Sequence, residues 1–476
     1  MKGENKQTAK HVVTRFAPSP TGYFHIGGYR TAIFAYLYAK HNGGKFILRI
    51  EDTDKERNKK EYEDNILESL KWIGLRYDKF YRQSENIERH KNIIRELLQK
   101  GSAYISKEEA KDGSGAIKEI VRFKNPNKVV EIHDLIRGTV VINTTDLGDF
   151  VIARNIEDPL YHLAVVIDDW DEGVTHVIRG EEHISNTPRQ ILMLEALGAP
   201  IPVYAHLPLV LAPDRSKLSK RKGALPLTDY REMGYLPEAL LNTMALIGWH
   251  PSTALGASPG DKEQEIFSLD ELIKVFDLSK VQKGGAIFNP IKLDWINKEH
   301  IKLLPMTIIQ EEIGKRISNF QFPHLRRGFG GQAISKDMLQ KLTPIIFDRI
   351  NKWSDVDEMI KAEELDYFFN TPEYDKEGLV WKKLKDNADR FALTKGYLEK
   401  VYELLHEIPE SGFNHESVKF TLSNYAEEKG RGEVLWPLRF ALSGLEKSPD
   451  PFTLAPILGK GETLSRIEKA IKKLSK

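Results

Sequence analysis

Apolar positions along the first hundred residues alternate between two periods. Residues 11–16 (His-Val-Val-Thr-Arg-Phe) read as a short strand, closed by the turn Ala17-Pro-Ser-Pro-Thr-Gly22. Over residues 29–41, Ile33, Phe34, Leu37 and Tyr38 fall at helical spacing, and Asn42-Gly-Gly44 supplies the stop. Residues 45–50 predict a second strand. Residues 54–75 predict a long amphipathic helix with Ile66, Leu67, Leu70 and Ile73 on one stripe, and 87–100 another helix stopped at Gly101. Strand–helix alternation of this kind predicts a parallel sheet, whose ligands bind beyond the carboxyl ends of the strands.

The pattern changes over residues 102–160 to short β-rich pieces, such as 139–143 and 150–153, which read as an insertion. The α/β rhythm resumes with an apolar strand over 161–169, ending in Asp168-Asp169, then a strand over 174–179 and a helix over 188–197. Beyond Gly223 the periodicity is mainly helical: 236–248, 269–276, 293–298, and most of the remainder. A basic, glycine-rich stretch, Arg326-Arg-Gly-Phe-Gly-Gly331, predicts a loop or hinge. The chain thus divides into residues 1–101, an insertion at 102–160, a resumed α/β half at 161–222, a helical segment at 223–305 and a helical region at 306–476.

A length of 476 residues suits three or four domains. With 41% hydrophobic and 29% charged residues, wholesale disorder is excluded. The absence of cysteine excludes disulfides, thiol nucleophiles, iron–sulfur clusters and cysteine-based zinc sites. Charge is balanced, 70 Lys+Arg against 69 Asp+Glu, so any nucleic-acid contact must come from local patches. No apolar stretch approaches the ~18 residues that cross a bilayer, and the first ten residues lack an apolar signal core. Cytoplasmic residence without membrane attachment is the expectation.

The candidate chemistry begins at the first turn. The segment Arg15-Phe-Ala-Pro-Ser-Pro-Thr-Gly-Tyr-Phe-His-Ile-Gly-Gly28 runs from a strand end into a helix start. Gly27 and Gly28 leave the backbone open to a ligand where helix N–H groups point outward, and His25 is placed to donate to phosphate oxygens. A glycine-rich turn alone is weak evidence. This one resembles the nucleotide-binding signature of class I aminoacyl-tRNA synthetases, usually His-Ile-Gly-His, and the longer string matches the version of the bacterial glutamate subfamily. Lys217-Leu-Ser-Lys-Arg221 resembles the second signature of the class, Lys-Met-Ser-Lys-Ser. Two signatures about 200 residues apart, each in its expected context, support one another.

The resemblance implies a Rossmann-like catalytic domain, an inserted domain for the tRNA acceptor end, a stem-contact helical segment and a helical anticodon-binding region. It implies ATP, carried with Mg2+, held by Pro18, His25, Gly27, Gly28, Glu181, His183, Leu218, Ser219, Lys220 and Arg221. Within that set His25, Lys217 and Lys220 would stabilise the charge that grows on transferring phosphate. Activating glutamate also requires forked donors for carboxylates and an acid for the ammonium. The positions that match the family are Arg15, Ser19, Glu51, Tyr161 and Arg179, with Glu51 meeting the ammonium and Asn186 near ATP. Arg49, Asp52 and Asp54 read instead as strand-end salt bridges.

The insertion lacks the Cys and His cluster with which some relatives bind zinc, so neither zinc nor another resident metal is expected. Gly432-Glu-Val-Leu-Trp-Pro-Leu-Arg-Phe-Ala-Leu-Ser-Gly444 resembles part of the anticodon region. Leu435, Leu438 and Leu442 recur at helical spacing as core positions, and Trp436 and Phe440 read as core more than as base-stacking platforms. Arg326 and Arg327 are candidate phosphate contacts. The expected activity is ligation of glutamate to tRNA(Glu) by a monomer, with a non-discriminating enzyme that also charges tRNA(Gln) and a non-catalytic tRNA-binding relative as alternatives. A glutaminyl enzyme fits less well, because that branch usually carries Pro-Pro-Glu-Pro-Asn where this chain has Ala17-Pro-Ser-Pro-Thr21.

Overall fold

The alternating periods of the amino-terminal third fold as a parallel sheet that places its strand ends around one crevice. The computed structural model describes residues 11–54, 56–109, 117–216, 218, 225–251, 264–319 and 335–476. Two units result, Met1–Lys302 and Leu303–Lys476. The first begins β1 (Val13–Phe16), α1 (Ile26–His41), β2 (Lys45–Ile50), α2 (Lys60–Trp72), β3 (Lys79–Arg82) and α3 (Ile87–Gln99). Helix α1 buries Ile33, Phe34 and Leu37 against Phe46, Leu48 and Ile50 of β2. Each such side chain contributes about 1.5–3 kcal/mol on burial. The Thr14 hydroxyl donates to the carbonyl of Ala35 at 2.8 Å and fixes α1 on β1.

The insertion divides its strands between two sheets. β4 (Ala103–Glu109), β5 (Ile117–Phe123), β8 (Phe150–Asn155) and β9 (Asp158–Pro159) form a separate antiparallel sheet in the order β4-β5-β8-β9. β6 (Val129–Asp134) and β7 (Gly138–Asn143) form a hairpin that joins the edge of the catalytic sheet through β11 (Val203–Leu207).

Residues 161–171 are helical rather than extended: α4 (Tyr161–Asp171) corrects the strand expected there. The run Leu163-Ala-Val-Val-Ile167 is buried throughout, so it carries neither a period of 2 nor one of 3.6. Packed beside α3 and α5 (Thr187–Leu197), it buries all faces at once. Between these helices lies β10 (His176–Gly180), which pairs in parallel with β1 and β11. The full order is β3-β2-β1-β10-β11-β6-β7. From β1 the chain builds outward through β2 and β3 on one side and through β10 and β11 on the other. The crevice between β1 and β10 is therefore the topological switch point, where ligands of open α/β sheets bind.

Past β11, the short β12 (Val210–Leu211) pairs with β13 (Ala286–Ile287), and α6 (Leu227–Glu232), α7 (Pro237–Leu246), α8 (Leu269–Val275) and α9 (Pro290–Lys302) complete this unit. The second unit is helical among its described residues: α10 (Met306–Asn319), α11 (Lys336–Arg349), α12 (Ser354–Lys361), α13 (Arg390–His406), α14 (His415–Lys429), α15 (Arg431–Ser443), α16 (Pro451–Leu458) and α17 (Lys460–Leu474). Leu438 and Leu442 are fully buried there. The Trp436 indole donates to the Gly378 carbonyl at 2.9 Å and lies 5.2 Å from the Trp381 ring, while Phe440 packs on Tyr374; Phe440 is buried and Trp436 half-buried.

Candidate active site

Three strand ends deliver charged side chains to the switch point. Arg15 lies near the end of β1, Glu51 directly follows β2, and Arg179 is the penultimate residue of β10. All three line one cavity of about 480 Å³, together with Pro18, Ser19, His25, Gly27, Gly28, Tyr161, His183 and Leu218.

Arg15 is held from behind. Its Nε donates to both Asp169 oxygens, at 3.1 and 3.2 Å, and among the described residues its two Nη groups have no protein partner. Arg49 donates to Asp169 at 2.7 Å and to Glu51 at 3.1 Å. Burial opposes ionisation of Asp169, but Arg15 and Arg49 prevail and hold its carboxyl below the usual range. Glu51 has the weaker share of Arg49. Burial pushes its carboxyl above the usual range, with Arg49 and Arg15 opposing, so a cation arriving in the cavity would stabilise its charged form. Arg49 thus has the strand-end role read from the sequence. Asp54 pairs with Arg57 as expected, whereas Asp52 forms no salt bridge among the described residues: it accepts instead from the amide and hydroxyl of Ser84, brought in after β3.

Arg179 is more fully engaged. Its Nη2 donates to Thr187 Oγ1 at 2.8 Å and Gln190 Oε1 at 2.7 Å, and its Nε donates to His206 Nε2 at 3.2 Å. Burial lowers its pKa from the usual arginine value. Tyr161, at the start of α4, reaches the same wall, and burial raises its phenol to about 12. Burial, with Arg179 and Arg15, pushes His183 down to about 4. Asn186 donates to its Nδ1 at 3.2 Å, so the neutral ring carries its proton on Nε2.

The helix start supplies the anion-binding side. α1 has no side-chain cap and no acidic residue in its first turn, so its N-terminal partial charge faces the cavity uncompensated. A Cβ at Gly28 would lie 2.2 Å from the Phe24 ring, which is itself wedged between Phe16 and Tyr29. Gly28 is therefore required for the packing of Phe24 over the helix start, whether or not a ligand approaches its backbone. Arg30, one turn in, donates to the carbonyls of Ile247 and Pro208, each at 2.8 Å, and burial lowers its pKa to about 9.

Of the second signature, Lys217, Ser219, Lys220 and Arg221 lie outside the described residues, as do Arg326 and Arg327. The flanks are informative. Leu218 lines the cavity that His25 lines, and Pro226 forms a β-bridge with His25 itself. Glu181 is not among the lining residues: its carboxylate binds Arg137 and accepts from the Leu209 amide at 2.8 Å, while Glu182 lines the cavity. Sequence reasoning missed Glu182, Phe24, Arg30 and the supports Asp169 and His206. A doubled acid (Glu181-Glu182, Asp168-Asp169) gives no signal in one sequence as to which member faces a ligand.

Residues 11–115 and 105–295 match the family described as tRNA synthetases class I (E and Q), catalytic domain. The chain belongs to that family. Residues 314–471 of this synthetase match the anticodon binding domain. It is 40% identical to a glutamate–tRNA ligase of Aquifex aeolicus, over 98% of this chain and 99% of that one. It is 39% identical to one of Carboxydothermus hydrogenoformans, over 96% and 99%. A crystal structure of a glutamate tRNA ligase from Elizabethkingia meningosepticum, in complex with its amino acid, superposes with a TM-score of 0.82 at 33% identity. That superposition covers 98% of this synthetase and all of the other chain.

Proposed function

We propose that the switch-point cavity is where this chain, a glutamate–tRNA ligase, joins glutamate to ATP and then to tRNA. One observation carries the assignment of residues: Arg15, Arg179 and Glu51, two cationic forks and one buried acid whose carboxyl stays above the usual range despite Arg49, share a cavity with His25 and an uncapped helix start. Glu51 takes the α-ammonium. Arg15, Arg179, Tyr161 and Ser19 hold carboxylate oxygens, with the free Nη pair of Arg15 matching a carboxylate in two-pronged geometry. ATP lies over Pro18, Gly27 and Gly28, with Mg2+ arriving on its phosphates. His183 presents its Nε2 proton, and Leu218, Ser219, Lys220 and Arg221 bind the nucleotide.

The glutamate α-carboxylate attacks the α-phosphorus in line. A carboxylate O–P bond forms, the bond to the bridging oxygen breaks, and pyrophosphate leaves with both electrons. His25, Lys217 and Lys220 stabilise the charge on the phosphoryl oxygens and on pyrophosphate, an electrostatic contribution that needs no side-chain nucleophile. A hydroxyl of the terminal tRNA ribose then attacks the acyl carbon, and AMP departs. The chain works as a monomer in the cytoplasm on tRNA(Glu). Charging purified tRNA(Glu) and tRNA(Gln) side by side with glutamate tests this reading: product on tRNA(Glu) alone is expected. Equal product on both would establish the non-discriminating alternative, and none on either would overturn the assignment.

A further inference from the structure

Behind Arg179 runs a hydrogen-bonded chain that the reaction itself does not use. The Arg179 guanidinium can only donate, so His206 Nε2, 3.2 Å from its Nε, must be an acceptor. The His206 proton therefore sits on Nδ1, which faces Asp134 Oδ2 at 2.7 Å. Asp134 is in turn fixed: Oδ2 also accepts from the His206 amide at 3.0 Å, and Oδ1 accepts from the amides of Ile136 and Arg137 at 2.9 and 2.8 Å. Both Asp134 and His206 are almost fully buried. Asp134 ends β6, the strand that the insertion contributes to the catalytic sheet.

We propose that Asp134 and His206 are positioning residues for glutamate binding. Asp134 locks His206 in the Nδ1–H tautomer, and the lone pair left on Nε2, which the Thr187 hydroxyl also approaches at 3.1 Å, sets the plane of the Arg179 guanidinium. With Nη2 bound by Thr187 and Gln190, the fork is held at two corners, and Nη1 alone has no protein partner among the described residues. Turning the imidazole over, or protonating it, would point an N–H at an N–H and expel the guanidinium from this pose. The inserted hairpin is then part of the amino-acid pocket, although none of its side chains lines the cavity. This inference rests on the reading that Arg179 holds a glutamate carboxylate.

The experiment is steady-state charging of tRNA by the full chain, with glutamate varied and ATP and tRNA saturating. Asp134→Asn places an amide donor opposite Nδ1 and favours the reversed tautomer. It is expected to raise the glutamate KM at least about tenfold, with kcat and the ATP KM changed less than about twofold. His206→Leu, which removes the acceptor, should do the same. His206→Gln, which can present an amide oxygen to Arg179, should return the KM to within about threefold of the parent. The parent KM should also rise as pH falls and His206 protonates, and that limb should vanish in His206→Gln. The charged and titratable groups facing His206 are Asp134 and Arg137 from the hairpin, Arg179 from the neighbouring β10, Tyr204 from its own strand, and His183.

Arg179→Ala separates the two possible failures. If it leaves the glutamate KM unchanged, the carboxylate reading of Arg179 falls. If it raises the KM while folded Asp134→Asn and His206→Leu do not, or if His206→Gln is as impaired as His206→Leu, the positioning pair is overturned and the carboxylate reading stands. Thermal unfolding of each variant identifies any that fails to fold, and His206→Gln, which keeps both size and acceptor, decides the matter in that case.

Discussion

Arg15 is tied to Asp169 through its Nε alone, at 3.1 and 3.2 Å, which leaves both Nη nitrogens to the cavity. Asp169 receives Arg49 as well, at 2.7 Å. One buried carboxylate therefore holds one arginine toward the cavity and shares the other with Glu51. Asp169→Asn keeps the shape but removes the charge that compensates the pair. A lost charged hydrogen bond costs about 1.5–3 kcal/mol, so the glutamate KM should rise at least about tenfold. The measurement is charging kinetics with glutamate varied, and an unchanged KM would show that Arg15 is aimed by something else.

Arg15 itself should not tolerate lysine. A single ammonium cannot reproduce a two-pronged contact or keep the Nε bond to Asp169. Both Arg15→Lys and Arg15→Ala are expected to weaken glutamate selection. A lysine variant with the parent KM would mean that charge alone, without the fork, suffices.

Lys220 is expected to act on rate and not on glutamate affinity. Removing one preorganised charge partner typically costs about 3 kcal/mol in the transition state, a hundredfold or more. Lys220→Ala should therefore lower adenylate formation by that order and leave glutamate binding nearly intact. Equal adenylate formation by variant and parent would remove this loop from the chemistry.

The departure of Gly28 from the histidine usual in the class has a packing counterpart. A Cβ there would lie 2.2 Å from Phe24, whose ring is held by Phe16 and Tyr29. Gly28→Ala should lower stability by about 1–3 kcal/mol through overpacking. Adding Phe24→Leu should recover part of that loss. Thermal melts of the single and double variants check this, and simple additivity of the two losses would contradict it.

His183 gives a pH signature. Its folded pKa, about 4, lies below the ordinary 6.5, so the folded state disfavours the protonated ring. Its contribution is fully present above pH 6.5 and is lost as pH falls from there through about 4. Parent protein should lose stability across that window more steeply than His183→Asn. Parallel curves for the two would place the lost stability elsewhere.

Much of the site was legible because its residues belong to strand ends and to a turn with strong local chemistry. Arg15, Glu51, Arg179 and His25 sit in short local elements, three strand ends and a Pro/Gly turn that leads into a helix start, and their roles come from the family resemblance those motifs carry. Their supports were not legible. Asp169 reaches Arg15 across 154 residues and Asp134 reaches His206 across 72, so no local period links them. The α4 segment reads as a strand in sequence because burial on all sides erases the amphipathic pattern that distinguishes helix from strand. The hairpin β6–β7 read as part of a separate insertion because strand pairing with β11 is decided by tertiary contact, not by its own alternation. The doubled acids show the same limit, since Glu182 and not Glu181 lines the cavity.

The most direct test is a crystal structure of the protein with a non-hydrolysable glutamyl-adenylate analogue. The ammonium is expected within hydrogen-bonding distance of Glu51, the side-chain carboxylate on Arg15 or Arg179, and the phosphate mimic beside His25 and the first turn of α1. An analogue bound with its ammonium away from Glu51 and its carboxylate on neither arginine would contradict the account.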